Sequence, residues 1–472
     1  LAFEPSTLAD SYQPGVLFKD SPPLDSWRQD RPLVVVCCSG GGITAQAWSI
    51  LMLTRLDHDL KGPRPFRDKV GLVCGASGGM VGAAAWVGHL ARPSDADATL
   101  RPFAERWKTD QLSPLVERLG LWDFSLGLAY QAIPGTPPKD RGHLLETIWT
   151  TAERRGKPAV FPELGQRLSD FRKREQAGEL PSLIFSPALA NDGRRLLISN
   201  LELDRLSSSG THGHAADPRI RSAIHLESSR DEPPLATWAR MSATFPFVTP
   251  TAPLHAHLPE GRCDFPVDAG YYDNFGTALA IGWLREYWLP AVTASPEKFP
   301  RQVILIELDA YPRFPASEGA DASVSATARR LERSLFGDLA RPLEAIRNVA
   351  AVSTQIRNDE QVEAFALEVE RLKDPDLRFD AFRFTNGVDA SLSWRLTGQE
   401  IQVMEEWIES VFEKDTLRER GSGATRLFTP QDAQAHRLRA DANERRSEHL
   451  DKLLDSSRSE LDHLREILAT GS

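Results

Sequence analysis

The stretch Leu72-Val73-Cys74-Gly75-Ala76-Ser77-Gly78-Gly79-Met80 decides how the rest of the chain reads. An apolar run of strand character, Val70 to Cys74, stops at a glycine, and the alanine-rich run from Met80 to Leu90 has the composition of a helix. Between them, Gly75-Ala76-Ser77-Gly78-Gly79 is a G-x-S-x-G turn, the arrangement that lifts a serine hydroxyl clear of the strand it follows. Its small residues allow a tight turn and leave room for a substrate carbonyl beside the serine oxygen. A helix starting just beyond Ser77 aims unsatisfied backbone N–H groups at developing negative charge. Glycine-rich strand-to-helix turns also serve packing alone, so the reading of Ser77 as a nucleophile calls for further parts.

One part lies upstream. Leu33 to Cys38 is a second apolar strand, passing through Ser39-Gly40-Gly41-Gly42 into a helix over Ile43 to Leu56. Two strand, glycine-turn, helix units predict an α/β core. The backbone N–H groups of Gly40, Gly41 and Gly42, together with that of Gly78, are candidates for an oxyanion hole. The competing reading is a nucleotide loop. The segment has neither the G-x-G-x-x-G spacing nor the Walker lysine, which argues against it.

A serine also needs a base. Phe265-Pro266-Val267-Asp268-Ala269-Gly270 brings an apolar approach to a flexible turn that would expose the Asp268 carboxylate, with Asp264 and Asp273 as local competitors. Read alone, the turn equally suits a structural aspartate. His225, His255 and His257 keep a Ser-His-Asp triad open, and a weakly catalytic lipid- or partner-binding protein is the reading from another class.

The motifs Ser39-Gly40-Gly41-Gly42, Gly75-Ala76-Ser77-Gly78-Gly79 and Asp268-Ala269-Gly270, in that order, resemble the patatin-like phospholipase family and its distant relatives, the cytosolic group IV phospholipases. Ala239-Arg240-Met241-Ser242-Ala243-Thr244-Phe245-Pro246 is similar to the family's small-residue segment leading to a proline. The resemblance covers roughly residues 33 to 310, with accessory material to about 415. It implies a three-layer α/β hydrolase core with a central, mostly parallel sheet, a helical insertion and C-terminal helices. It also implies Ser77 as nucleophile, Asp268 as its partner without an obligatory histidine, and the Gly40 to Gly42 turn as part of the oxyanion hole. Hydrolysis would release a fatty acid from phospholipid or lysophospholipid through an acyl-enzyme, with no metal or cofactor. Thr44 stands where many relatives place a basic residue, and Ala269 where a glycine is commoner, so headgroup contact and rate are where this chain would differ.

Around this core, residues 1 to 31 read as an extended arm and 91 to 180 as a helical insertion with helices near 101 to 118, 141 to 154 and 163 to 178. Further strands are expected at Leu183 to Phe185, Arg195 to Ser199 and Val303 to Leu308. Helices are expected at Pro234 to Ala243, between about 323 and 370, and at Gln399 to Phe412, followed by a charged helical tail over 416 to 472. Catalytic residues thus fall in one domain, 32 to 415, although 472 residues would accommodate about two to four.

Composition narrows the classes. With 41% hydrophobic and 26% charged residues the chain has the makings of a packed core. The net charge of -10 argues against a nucleic-acid partner, since phosphate-binding surfaces concentrate positive charge. Arg154, Arg155, Lys157, Arg172, Lys173 and Arg174 are interspersed with acids and read as solvated surface. Cys37, Cys38, Cys74 and Cys263 have no zinc-ligand spacing and read as buried thiols, and His212 and His214 read as a surface loop rather than metal ligands. No apolar run reaches the roughly 20 residues of a spanning helix, so the expectation is a cytoplasmic enzyme that touches a membrane surface transiently. The chain opens on Leu1 rather than Met, which leaves an upstream start, signal or anchor open.

Overall fold

The computed structural model describes residues 31–60, 65–92, 106, 110–111, 113–119, 141–151, 159–201, 203, 205–206, 219–225, 232–244, 249–252, 254, 264–310, 335–387, 396–412 and 451–468. The arm at 1–30, His212, His214, His255, His257, Cys263, and the basic residues Arg154, Arg155 and Lys157 lie outside these.

The two strand-turn-helix units form as their composition predicts: β1 (Leu33–Cys38) leads to α1 (Gly42–Asp59), and β2 (Val70–Gly75) to α2 (Ser77–Leu90). Both strands are buried along their whole length. That is the signature of central strands in a parallel sheet covered on both faces. With β3 (Ser182–Ile184), β8 (Gln302–Asp309) and β9 (Arg378–Thr385) they make a five-stranded sheet in the order β3-β2-β1-β8-β9, parallel throughout.

Period-two alternation assigns each residue to a face. Val34, Val36 and Cys38 of β1 pack with α1, α2 and, from the far end of the chain, Leu461 and Leu464. Leu33, Val35 and Cys37 pack on the other face with Leu279 and Trp283 of α5 (Thr277–Trp283) and Phe365 and Val369 of α6 (Leu335–Arg371). The result is three layers, helices on a parallel sheet on helices. Cys37, Cys38 and Cys74 are buried free thiols.

The register Cys38↔Gly75 sets the turns after β1 and β2 side by side at the carboxyl end of the sheet. From β1 the strand order runs one way to β2 and β3 and the other way to β8 and β9, so this is a topological switch point, where open α/β sheets hold their ligands.

Several elements depart from expectation. The helix foreseen over 163–178 is two 3-10 turns, Pro162–Gly165 and Leu168–Phe171, and a short helix, Arg172–Gln176. A second, mixed sheet, β6-β5-β4-β7, joins β4 (Ala188–Leu189), β5 (Arg195–Ser199), β6 (Ile220–His225) and β7 (Pro266–Val267). Its β4 and β7 are two residues each, too short to carry a strand pattern. The helices α3 (Arg141–Thr150), α4 (Leu235–Met241) and α7 (Gly398–Phe412) lie close to their expected places, and α8 is helical over 451–468.

Candidate active site

Ser77 begins α2 with φ at +48°, in the left-handed region that non-glycine residues seldom occupy. The turn can hold it there because its surroundings determine the backbone. A Cβ on Gly78 would lie 1.8 Å from Gly42 O, and one on Gly79 2.1 Å from Ser39 O. The start of α2 therefore packs directly on the backbone of the first glycine turn, and only glycine fits at these positions. Strain of order 1–3 kcal/mol at such a residue persists only where its neighbours over-determine it.

Asp268 follows β7, which pairs antiparallel with β4 through Ala188↔Val267 and Leu189↔Pro266. The small second sheet thus delivers the carboxylate to the serine. Ser77 Oγ donates to Asp268 Oδ2 at 2.6 Å, and Gly270 N donates to Asp268 Oδ1 at 2.7 Å. Burial pushes the Asp268 carboxyl up to about 6, against the opposing pull of the Ser77 and Gly270 hydrogen bonds. A base poised near neutrality is what proton abstraction from a serine requires.

One backbone atom registers the two residues. Ser242 O accepts from Ser77 N at 3.0 Å and from Ala269 N at 3.1 Å, bridging the positions on which the site depends. Ser242 follows α4, which is fastened to α3 by Arg240 Nε donating to Glu146 Oε1 at 2.6 Å, with both side chains buried. This gives the Ala239 to Pro246 segment a physical task that composition alone does not reveal.

The glycine turn is braced from both sides. Ser39 N donates to Leu308 O and Ala310 N to Ser39 Oγ, which anchors the turn to the end of β8. Gly40 N donates to Asn274 O at 2.7 Å, so this N–H is already engaged. At α2, Ser77 N goes to Ser242 O and the first intrahelical bond is Met80 N to Ala76 O. Gly78 and Gly79 therefore sit in the first turn, where N–H groups have no helical acceptor.

The other aspartates of the segment do different work. Asp273 Oδ1 accepts from Phe275 N, Gly276 N and Asn358 Nδ2, and its Oδ2 from Ala278 N, capping the entry to α5. Asp264 pairs through its backbone with Leu254. The His225 side chain, like His255 and His257, lies outside what is described, and among the described residues no group of three or more His, Cys, Asp or Glu side chains is arranged to hold a metal ion. Thr44 is buried within α1, facing away from bulk solvent.

No family model matches the sequence, and no curated protein matches it. Among solved structures, human GIVD cytosolic phospholipase A2 is similar over 66% of this chain and 48% of that one, at 16% identity and a TM-score of 0.30. The same human protein in complex with methyl gamma-linolenyl fluorophosphonate matches over 94% of this chain and 59% of its own, at 15% identity and a TM-score of 0.34. VipD from Legionella pneumophila matches over 81% of this chain and 75% of its own, at 13% identity and a TM-score of 0.26. The chain spans about half the length of the phospholipase chains it matches.

Proposed function

We propose that this chain is a patatin-like lipid acyl hydrolase that cleaves fatty-acyl esters of phospholipid or lysophospholipid through Ser77 and Asp268. The observation that carries the reading is the 2.6 Å hydrogen bond from Ser77 Oγ to Asp268 Oδ2, made from a left-handed serine at the start of a helix. Asp268 takes the Ser77 proton as Oγ attacks the ester carbonyl. The oxyanion forms against the backbone N–H groups of Gly78 and of the Gly41–Gly42 turn, while Gly40, its N–H engaged by Asn274, holds that turn in place. Each well-aimed donor is worth about 3 kcal/mol in the transition state. The proton then passes to the leaving alcohol or lysophospholipid, and water releases the fatty acid from the acyl-enzyme.

Contact with a lipid surface is part of the same proposal. Phe265 and Tyr271, 40% and 58% exposed, flank Asp268 in sequence and present aromatic rings to solvent, which supports that reading. No helix among the described residues is long and apolar enough to cross a membrane, so the contact proposed is peripheral and transient. The free buried thiols fit a reducing compartment such as the cytoplasm.

The test is fatty-acid release from phospholipid, lysophospholipid and neutral-ester vesicles or micelles by wild type, S77A and D268N. Both substitutions are expected to lower kcat by roughly a thousandfold or more, since the two residues act as a unit. Undiminished hydrolysis by both variants would remove the pair from the mechanism.

A further inference from the structure

Asn274 stands where the three parts of the site meet. Its backbone carbonyl holds Gly40 N at 2.7 Å, joining the segment after Asp268 to the first glycine turn. Its side chain reaches into the same space. A Cβ on Gly40 would lie 2.4 Å from Asn274 Oδ1 and 3.0 Å from Ser77 Cβ. One on Gly270 would lie 2.8 Å from Asn274 Oδ1 and 3.0 Å from Asp268 Oδ1. The carboxamide therefore neighbours both members of the pair, and it has room only because positions 40 and 270 carry no side chain. Asn274 is half-buried, and among the described residues its side chain makes no hydrogen bond.

The chemistry of the second half-reaction calls for such a group. In the free protein both Asp268 oxygens are committed, Oδ1 to Gly270 N and Oδ2 to Ser77 Oγ. Once Ser77 is acylated its oxygen has no proton to donate, and Oδ2 is released to accept one from water. A water held by that single bond is free to rotate; a second polar contact fixes its lone pair toward the acyl carbon. A carboxamide can donate to or accept from that water without adding charge beside Asp268.

We propose that the Asn274 carboxamide holds the hydrolytic water against Asp268 during deacylation, an assignment that rests on the acyl-hydrolase reading above. The water oxygen bonds to the acyl carbonyl carbon while its proton passes to Asp268 Oδ2. The bond from that carbon to Ser77 Oγ then breaks, the proton moves from Asp268 to Ser77, and the fatty acid departs. The backbone bond to Gly40 is independent of the side chain, so Asn274→Ala removes the carboxamide and leaves the turn tied.

The test separates the two half-reactions, using a fluorophosphonate that phosphonylates Ser77 without needing water and a p-nitrophenyl acyl ester whose turnover does need it. For Asn274→Ala the expected result is phosphonylation within about twofold of wild type, with kcat lowered about tenfold or more. A burst of p-nitrophenol and an acyl-enzyme visible by intact mass should accompany this. Asn274→Asp, which keeps the size and restores a polar contact, should recover part of the lost deacylation and move the acid limb of the pH profile upward. Equal loss of phosphonylation and turnover in Asn274→Ala would overturn the assignment in favour of a structural role, as would unimpaired turnover. If wild type itself is not phosphonylated at Ser77, the hydrolase reading falls and this inference with it; if it is, only the water assignment is at stake.

Discussion

In the role of base proposed for it, Asp268 benefits from an environment that is unfavourable to its charge. Burial raises its carboxyl to about 6 although Ser77 and Gly270 both donate to it. The base must be ionised to accept the Ser77 proton, so kcat/KM is expected to fall as pH drops through about 6, with one proton on the acid limb. A pH profile on a non-ionising ester checks this, and D268N should have no such limb in its residual rate. The same shift has a stability consequence of definite sign. Between an unfolded value of 3.8 and a folded value of about 6 the native chain binds the additional proton, so this residue's contribution to stability declines as pH rises through that window. Ionised Asp268 then disfavours the fold by about 3 kcal/mol above the window. D268N, which is never charged, should melt higher than wild type at pH 8, and the difference should shrink toward pH 4. A lower melting temperature at both pH values would mean that the two hydrogen bonds outweigh the buried charge.

At the level of elements, the site is set by how closely α2 lies on α1. Gly82, one turn beyond Gly78, repeats its contact: a Cβ there would lie 2.4 Å from Gln46 O in α1. Alanine is favoured over glycine in a helix by about 1 kcal/mol, but the obstructing atom is a backbone carbonyl that cannot rotate aside. Overpacking of this kind costs about 1–3 kcal/mol, so steric cost wins and G82A should lower the denaturant midpoint while leaving the acid limb of the pH profile in place. This is also where the sequence was most and least legible. The strand, turn and helix around Ser77 follow from hydrophobic runs and glycine spacing, because those determinants are local. Asp268 stands 191 residues away, and a turn with an exposed carboxylate reads equally as structure. The joint pattern of three motifs, not its own segment, points to it. The contacts that Ser242 O makes with Ser77 and Ala269, and Asn274 O with Gly40, run through backbone carbonyls, which every residue has, so no side-chain signal marks them. Of the sheet that carries Asp268, β5 over Arg195 to Ser199 is legible as a strand, while β4 and β7, two residues each, are too short to show a pattern.

At the scale of the whole molecule, the last described helix is part of the architecture. Leu454, Leu461, Leu464 and Leu468 of α8 are buried in the same core cluster as Val34 and Val36 of β1, and the polar contacts of α8 reach the sheet edge, α1, α7 and Lys69. Arg465 bonds Asp59, the last residue of α1, and Glu460 accepts from Arg383 N on the edge strand β9. Arg383 in turn bonds Glu307 on β8, 2.7 Å from Nε, and Asp359 on α6, while Thr277 at the start of α5 donates to Glu307 at 2.5 Å. Glu307 and Asp359 thus share the Arg383 guanidinium while Glu460 takes the same residue's backbone N–H, and the ionisation of Glu460 is pushed up, to about 7, by burial first and by Glu307 among its neighbours, against the pull of Arg383. A folded value above the ordinary 4.5 means that docking of α8 is most favourable while Glu460 is protonated and loses that advantage as pH rises through about 7. Glu460→Gln keeps the acceptor for Arg383 N and cannot ionise. Its melting temperature should match wild type at pH 5 and exceed it at pH 8, and limited proteolysis should cut α8 more slowly than in wild type at pH 8 alone. Equal behaviour at both pH values would mean that Arg383 neutralises Glu460 fully, so that the packing of the four leucines alone sets how firmly α8 closes the first core.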